Sequence, residues 1–231
     1  MTAPHGPSIL IADDHPLFRG ALKHAIRSAM PSAALSEAGS LDDVVRMLAD
    51  GLEADLILLD LTMPGVQGFS GLLLLRADHP DVPVMVVSAN DDPGIVKRCI
   101  GFGALGFMPK TLEAEEMALA VQSVLDGHIW IPQGIDLSAA QDNEASDTIK
   151  RLMTLTPQQV RVLMMLSEGL LNKQIAFELN VSEATVKAHV SAILQKLDVD
   201  SRTQAVILAA KIAATGWSPG EAAASQSASA P

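Results

Sequence analysis

Short continuous apolar runs alternate with helical spacing through the first half of the chain. Ile9–Ala12, Ala54–Leu59, Val82–Val87 and Gly106–Met108 predict strands, and Ala34–Glu37 predicts a weaker one. Runs without polar alternation, such as LILL and VMVV, suit parallel strands covered on both faces. Helical spacing falls between them, near residues 16–29, 41–50, 67–78, 93–102 and 112–125. Ser40, with Asp43 three residues on, opens the second of these as a capping box. Five strand–helix units over residues 1–126 predict an α/β fold with a doubly wound, five-stranded parallel sheet.

The rhythm breaks after that. Residues 127–152 carry scattered Gly, Pro, Ser and Asp and predict an interdomain linker. Residues 153–215 predict a small all-α domain, and the Ala/Ser-rich residues 216–231 a disordered tail. Thr156, Pro157 and Gln159 form a capping box with Pro at the first helical position. Val160, Leu163, Met164 and Leu166 give that helix its apolar stripe, and Gly169 ends it. Asn172 is expected to cap NKQIAFEL, and Asn180 with Val181 to form a turn. Ser182 then caps a longer helix whose Val186, Val190, Ile193 and Leu197 fall on one buried stripe. Two helices joined by so short a turn predict a helix-turn-helix. Ser201 with Gln204 opens a final, unusually apolar helix, divided between core packing and a two-fold dimer contact.

Composition narrows the class. No run approaches the ~20 apolar residues of a membrane span, the first residues lack the pattern of a signal peptide, and the lone Cys99 excludes an internal disulfide. A cytoplasmic chain without a membrane partner is expected. The net charge of −11 is uneven: −9 over residues 1–126, −3 over 127–150 and +1 over 151–231. An acidic front and a faintly basic back imply different partners, and argue against a chain that simply coats nucleic acid.

Ligands of a doubly wound sheet bind beyond the carboxyl ends of its strands. The predicted first strand ends at Asp13 and Asp14, the third at Asp60, the fourth at Ser88 and the fifth near Lys110. Three carboxylates, a hydroxyl and an ammonium thus converge on one rim. Clustered carboxylates suit a hard cation such as Mg²⁺. Asp60 is placed to act as a nucleophile toward a phosphoryl group, with Lys110 and the metal neutralising the transferring oxygens and Ser88 bonding one of them afterwards.

On the helix after Ser182, the face opposite the buried stripe carries Lys187, Ala188, Ser191 and Gln195, and its beginning suits a major groove. Asn172 and Lys173 on the preceding helix join this candidate DNA face. Lys173, Thr185, His189, Lys196 and Arg202 are candidates to hold phosphates, positioning the domain without reading bases.

The stretches IADDHP, LILLDLTMPG, VVSAND and GALGFMPK resemble the receiver domain of bacterial two-component response regulators, across residues 8–126. The resemblance implies a flavodoxin-like fold in which Asp60 is the phosphoacceptor charged by a histidine kinase. It implies Mg²⁺ ligation by Asp13, Asp14, Asp60 and the main-chain carbonyl of Thr62, with Ser88 and Lys110 as switch residues and Phe107 as a rotating aromatic. Residues 155–206 resemble the LuxR-type DNA-binding domain, and the whole chain resembles the NarL/FixJ class. That class implies promoter DNA and RNA polymerase as partners, a homodimer when active, and no turnover enzyme. Gln159 stands where the class commonly has Glu, and Ser191 where some members place a base-reading basic residue; Lys187 is therefore the stronger base-contact candidate. The rivals are a phosphorylation-independent DNA-binding regulator and a Mg²⁺-dependent phosphatase, although Thr62 occupies the place where such phosphatases carry an acid.

Overall fold

The computed structural model describes residues 6–66, 68–137 and 143–214. The N-terminal half is a five-stranded parallel sheet in the order β2-β1-β3-β4-β5, built from β1 (Ser8–Ala12), β2 (Ala34–Ala38), β3 (Leu56–Asp60), β4 (Val84–Ser88) and β5 (Gly106–Pro109). Four helices link them, α1 (Pro16–Ala29), α2 (Leu41–Ala49), α3 (Ser70–Asp78) and α4 (Pro93–Gly101), and α5 (Ala114–Leu125) follows β5. Successive strand side chains point to opposite faces. Ile9 and Ile11 therefore join Leu22, Ile26 and Val121 beneath α1 and α5, whereas Leu10 and Ala12 join Val44, Leu72 and Ile95 on the side of α2, α3 and α4. Both faces are covered, which is why LILL and VMVV need no polar alternation.

Residues 127–137 are more ordered than their composition implies. Trp130 accepts a hydrogen bond from the Phe107 amide (2.9 Å) and donates one to the Leu105 carbonyl (3.1 Å), adding a short parallel bridge outside β5. The range predicted as linker also contains helix α6 (Asn143–Leu152), whose Ile149 and Leu152 are buried. The expected disordered tail lies outside the described residues.

Four further helices complete the C-terminal half: α7 (Pro157–Ser167), α8 (Asn172–Glu178), α9 (Glu183–Leu197) and α10 (Arg202–Ala214). Val160, Leu163, Leu166, Ile175, Val186, Ile193, Leu197 and Ala205 form their core. Asn180 adopts a left-handed conformation (φ 51°) in the turn between α8 and α9. Asn172 is the first residue of α8 and not its cap; the chain enters the helix at Leu171, whose amide donates to Gln174 Oε1 at 2.8 Å. Ser182 caps α9 as expected, accepting from the Thr185 amide at 3.0 Å.

The capping box of α7 extends further than a local motif. Gln159 is 7% exposed, and its Oε1 accepts both the Thr156 amide (3.0 Å) and Lys196 Nζ (2.8 Å) from α9. Gln159→Leu leaves the Thr156 amide without its acceptor and removes one of the two acceptors of Lys196, and should cost about 1–3 kcal/mol. Thermal unfolding followed by circular dichroism should show a midpoint lowered by roughly 5 °C or more. Gln159→Glu keeps the acceptor and faces an ammonium, so its midpoint should match or exceed the wild-type value.

The two halves touch. Helix α7 packs on α3, and the apolar cluster on the α2–α4 side of the sheet runs on into the helical core.

Candidate functional site

The strand order reverses between β1 and β3, and such a switch point leaves a crevice at the carboxyl ends. Asp13 follows β1 directly, Asp60 closes β3, Ser88 closes β4, and Lys110 follows β5. Asp60 is fully buried, Asp13 and Ser88 are 2% exposed, and Asp14 sits partly open to solvent. Burying carboxylates is costly unless they are paired, and one ammonium does the pairing here. Lys110 Nζ lies 2.9 Å from Asp60 Oδ2 and 2.7 Å from Asp13 Oδ2. It also stands 5.0 Å over the Phe18 ring. Burial pulls the Lys110 pKa down, but attraction to Asp60 and the contacts with Asp13 and Asp60 outweigh it, so the group is held above its ordinary value. Its stabilising charge is present at all pH values below the ordinary lysine range and is lost only as pH rises beyond it.

The residues present fit a divalent cation. Asp13, Asp14, His15 and Asp60 offer ligand atoms that all lie within 4.8 Å of one another. Asp13 Oδ2 and Asp14 Oδ1 are buried acceptors without a directed hydrogen bond, although Lys110 Nζ and His15 Nδ1 stand close to them. Three carboxylates against one ammonium leave an excess of negative charge, and acceptors without hydrogen bonds are what a hard cation satisfies.

Thr62 contributes more than the main-chain carbonyl that sequence reasoning gave it. Its hydroxyl is 2.9 Å from Asp60 Oδ1 and 2.8 Å from Oδ2, and its amide donates to Oδ1 at 3.1 Å. His15 was also missed; its amide donates to Asp13 Oδ1 at 2.7 Å, and its Nδ1 is 2.7 Å from Asp14 Oδ1. Its place directly after the acidic pair was the available signal. Ser88 accepts the Asn90 amide at 3.2 Å, and its carbonyl accepts the Lys110 amide at 2.8 Å, so the ends of β4 and β5 are tied together. Phe107 is fully buried within β5.

On the second candidate surface, Lys173, Thr185, Lys187, Ala188 and Ser191 are exposed, and Asn172 and His189 are half-buried. Lys187 pairs with Glu183 at 3.0 Å across one helical turn, an exposed contact that DNA can displace cheaply. The Ser191 hydroxyl donates back to the Lys187 carbonyl at 3.0 Å. Lys196 and Arg202 are turned into the domain: Lys196 donates to the Thr154 carbonyl (2.6 Å) and to Gln159, and Arg202 donates to the Leu170 carbonyl. These two basic groups brace the helices against one another.

The fold and the rim define a class, a receiver joined to a DNA-binding helix-turn-helix. Residues 9–122 match the response regulator receiver domain, and residues 153–209 match the bacterial regulatory proteins of the luxR family. The chain is 40% identical over 215 residues to the glycerol metabolism activator of Pseudomonas putida, covering 90% of this chain and 97% of that protein. It is 32% identical to the nitrate/nitrite response regulator protein NarL of Escherichia coli K12, covering 87% and 93%. In fold it is similar to RcsB from Salmonella enterica serovar Typhimurium bound to promoter P1flhDC in the presence of the phosphomimetic BeF3−, with a TM-score of 0.54, 22% identity, and 90% and 99% of the two chains covered. The chain belongs to the NarL/FixJ class of response regulators, transcriptional regulators with a receiver domain and a LuxR-type DNA-binding domain.

Proposed function

We propose that the chain receives a phosphoryl group from a histidine kinase on Asp60, with Mg²⁺ bound, and thereby controls transcription from promoter DNA in the cytoplasm. The observation that carries this reading is the buried Asp60 carboxylate, gripped by Lys110 and faced by Asp13 on one rim. Mg²⁺, held by Asp13, Asp14, Asp60 and the Thr62 carbonyl, would supply charge neutralisation for the transferring oxygens.

This chain's own residues do the rest. Lys110 holds one of the Asp60 oxygens oriented, at 2.9 Å. Thr62 releases the carboxylate when phosphorus bonds to it. The new group brings a charge of about −1.5 to −2, and Lys110 and the Ser88 hydroxyl move to its oxygens. The ends of β4 and β5 then favour one of two receiver conformations, with Phe107 as the responding aromatic. Homodimers present two copies of the α9 face to the DNA, with Lys187 reading bases and Asn172, Lys173, Thr185, Ala188, His189 and Ser191 supporting it; Lys196 and Arg202 take part by bracing the domain. RNA polymerase is the natural further partner of a promoter-bound regulator.

A phosphatase would need an acid two residues beyond the nucleophile, where Thr62 stands. Acetyl phosphate with Mg²⁺ should label the protein stoichiometrically, while p-nitrophenyl phosphate should not be turned over. Steady hydrolysis of the latter would sink the regulator reading in favour of an enzyme.

A further inference from the structure

Helix α3 buries leucines around most of its circumference. Leu72, Leu73, Leu74 and Leu75 are consecutive, and all four are buried. Consecutive helical residues are about 100° apart, so four of them cannot all face the sheet. The outer ones are covered because α7 lies against α3. Charge and shape extend the contact. Arg161 Nη2 on α7 pairs with Asp78 Oδ2, the last residue of α3, at 3.0 Å. Ile149 of α6 is buried against the end of α4, where a Cβ on Gly101 would meet its Cδ1 at 3.5 Å. Met153 reaches Gly103 just beyond, and Phe69 and Phe102, whose rings are 5.4 Å apart, join the start of α3 to the end of α4.

None of this covers the DNA face. Thr185, Lys187, Ala188 and Ser191 remain exposed with the contact formed, as does Ile207 on α10. A receiver that masked the reading helix would bury those residues. Two surfaces that do not overlap have no steric competition, and a ligand shifts an equilibrium only through differential affinity for its states.

We propose that the α3–α7 contact is a strut and not a lock: the receiver holds its DNA-binding domain in a DNA-accessible position. Phosphorylation acts through the strut on how two domains are presented together, not by uncovering either one. Both receiver helices in the contact leave the pocket directly, since α3 follows the loop after Asp60 and α4 the loop after Ser88. The control proposed here rests on the Asp60 reading; the open reading face does not.

The test uses the full chain and duplexes recovered by selection from random DNA, carrying one half-site or two. Asp78→Lys sets like charges against Arg161, and Gly101→Trp overfills the space beside Ile149. Neither residue belongs to the pocket or the DNA face. The strut predicts that both variants keep the unphosphorylated affinity for the single half-site within about twofold of wild type. It further predicts that they lose the gain that phosphorylation gives on the paired site, and that Asp78→Lys with Arg161→Glu restores it. A rise of about tenfold in unphosphorylated affinity in either variant would make the contact a lock and overturn the proposal. An undiminished phosphorylation gain in both would overturn it as well. The first comparison needs no phosphoryl group. Absence of label on the wild type would therefore count against Asp60 as acceptor, and leave the accessibility claim to be judged by half-site affinity alone.

Discussion

In Asp60→Asn, Mg²⁺-dependent labelling by acetyl phosphate falls below detection. The amide nitrogen is no nucleophile, and its oxygen carries no full charge with which to attack phosphorus. Neighbouring carboxylates do not substitute, because Asp13 is occupied by Lys110 and by the His15 amide, and Asp14 sits outside the grip of Lys110. The fold survives the change. Removing one of three carboxylates facing one ammonium relieves like-charge repulsion, and Lys110 keeps Asp13 at 2.7 Å. Without metal, thermal unfolding should therefore occur at or above the wild-type midpoint. Added Mg²⁺ separates the two proteins. A ligand at about 100 times its Kd raises stability by about 2.7 kcal/mol, and Asn supplies a poorer ligand, so the Mg²⁺-dependent rise in midpoint should shrink. DNA affinity should equal that of unphosphorylated wild type. Persistent labelling of the variant would move the acceptor elsewhere.

Much of this pocket was legible because its chemistry sits at strand ends, and strand ends are where apolar runs stop. Asp13, Asp60, Ser88 and Lys110 each lie within a residue of such a boundary, so locating four apolar runs located four residues of the candidate rim. Helix α6 escaped because its sequence, NEASDTIKRL, is polar overall. Ile149 and Leu152 stabilise it only by docking on neighbours distant in sequence, which local composition does not reveal. The cap of α8 was misplaced by one residue for a similar reason: Asn is a good cap in isolation, but Gln174 reaches back to the Leu171 amide and starts the turn earlier. Lys196 and Arg202, candidates to hold phosphates by charge or hydrogen bond, also have partners inside the domain that the sequence does not show. Their partners, Thr154, Gln159 and Leu170, lie 32 to 42 residues away. The helical spacing near residues 67–78 predicted α3, but only tertiary packing reveals that the second domain covers its outer leucines.

Val186→Asp should destroy the other half of the function and spare the first. Val186 has 0% exposure, at the centre of the core formed by α7, α8 and α9. A carboxylate there has no partner, and an unpaired buried charge costs several kcal/mol. A domain of about 60 residues has roughly 3–9 kcal/mol of stability in total, so the helical half should unfold. Circular dichroism should show the lost helix, and binding to the selected duplexes should fall by more than about a hundredfold, the loss of a specific complex. Labelling at Asp60 should remain within about twofold of wild type, since the pocket and Val186 share no contacts. One further consequence distinguishes this variant from a simple surface lesion. With α7 gone, the outer leucines of α3 meet water, and an apolar patch of that kind drives association. The labelled variant should then bind a hydrophobic dye and self-associate with rising concentration. If labelling collapsed together with DNA binding, the continuous apolar cluster between the halves would be acting as a single cooperative core, and the receiver would not be able to stand without the domain it carries.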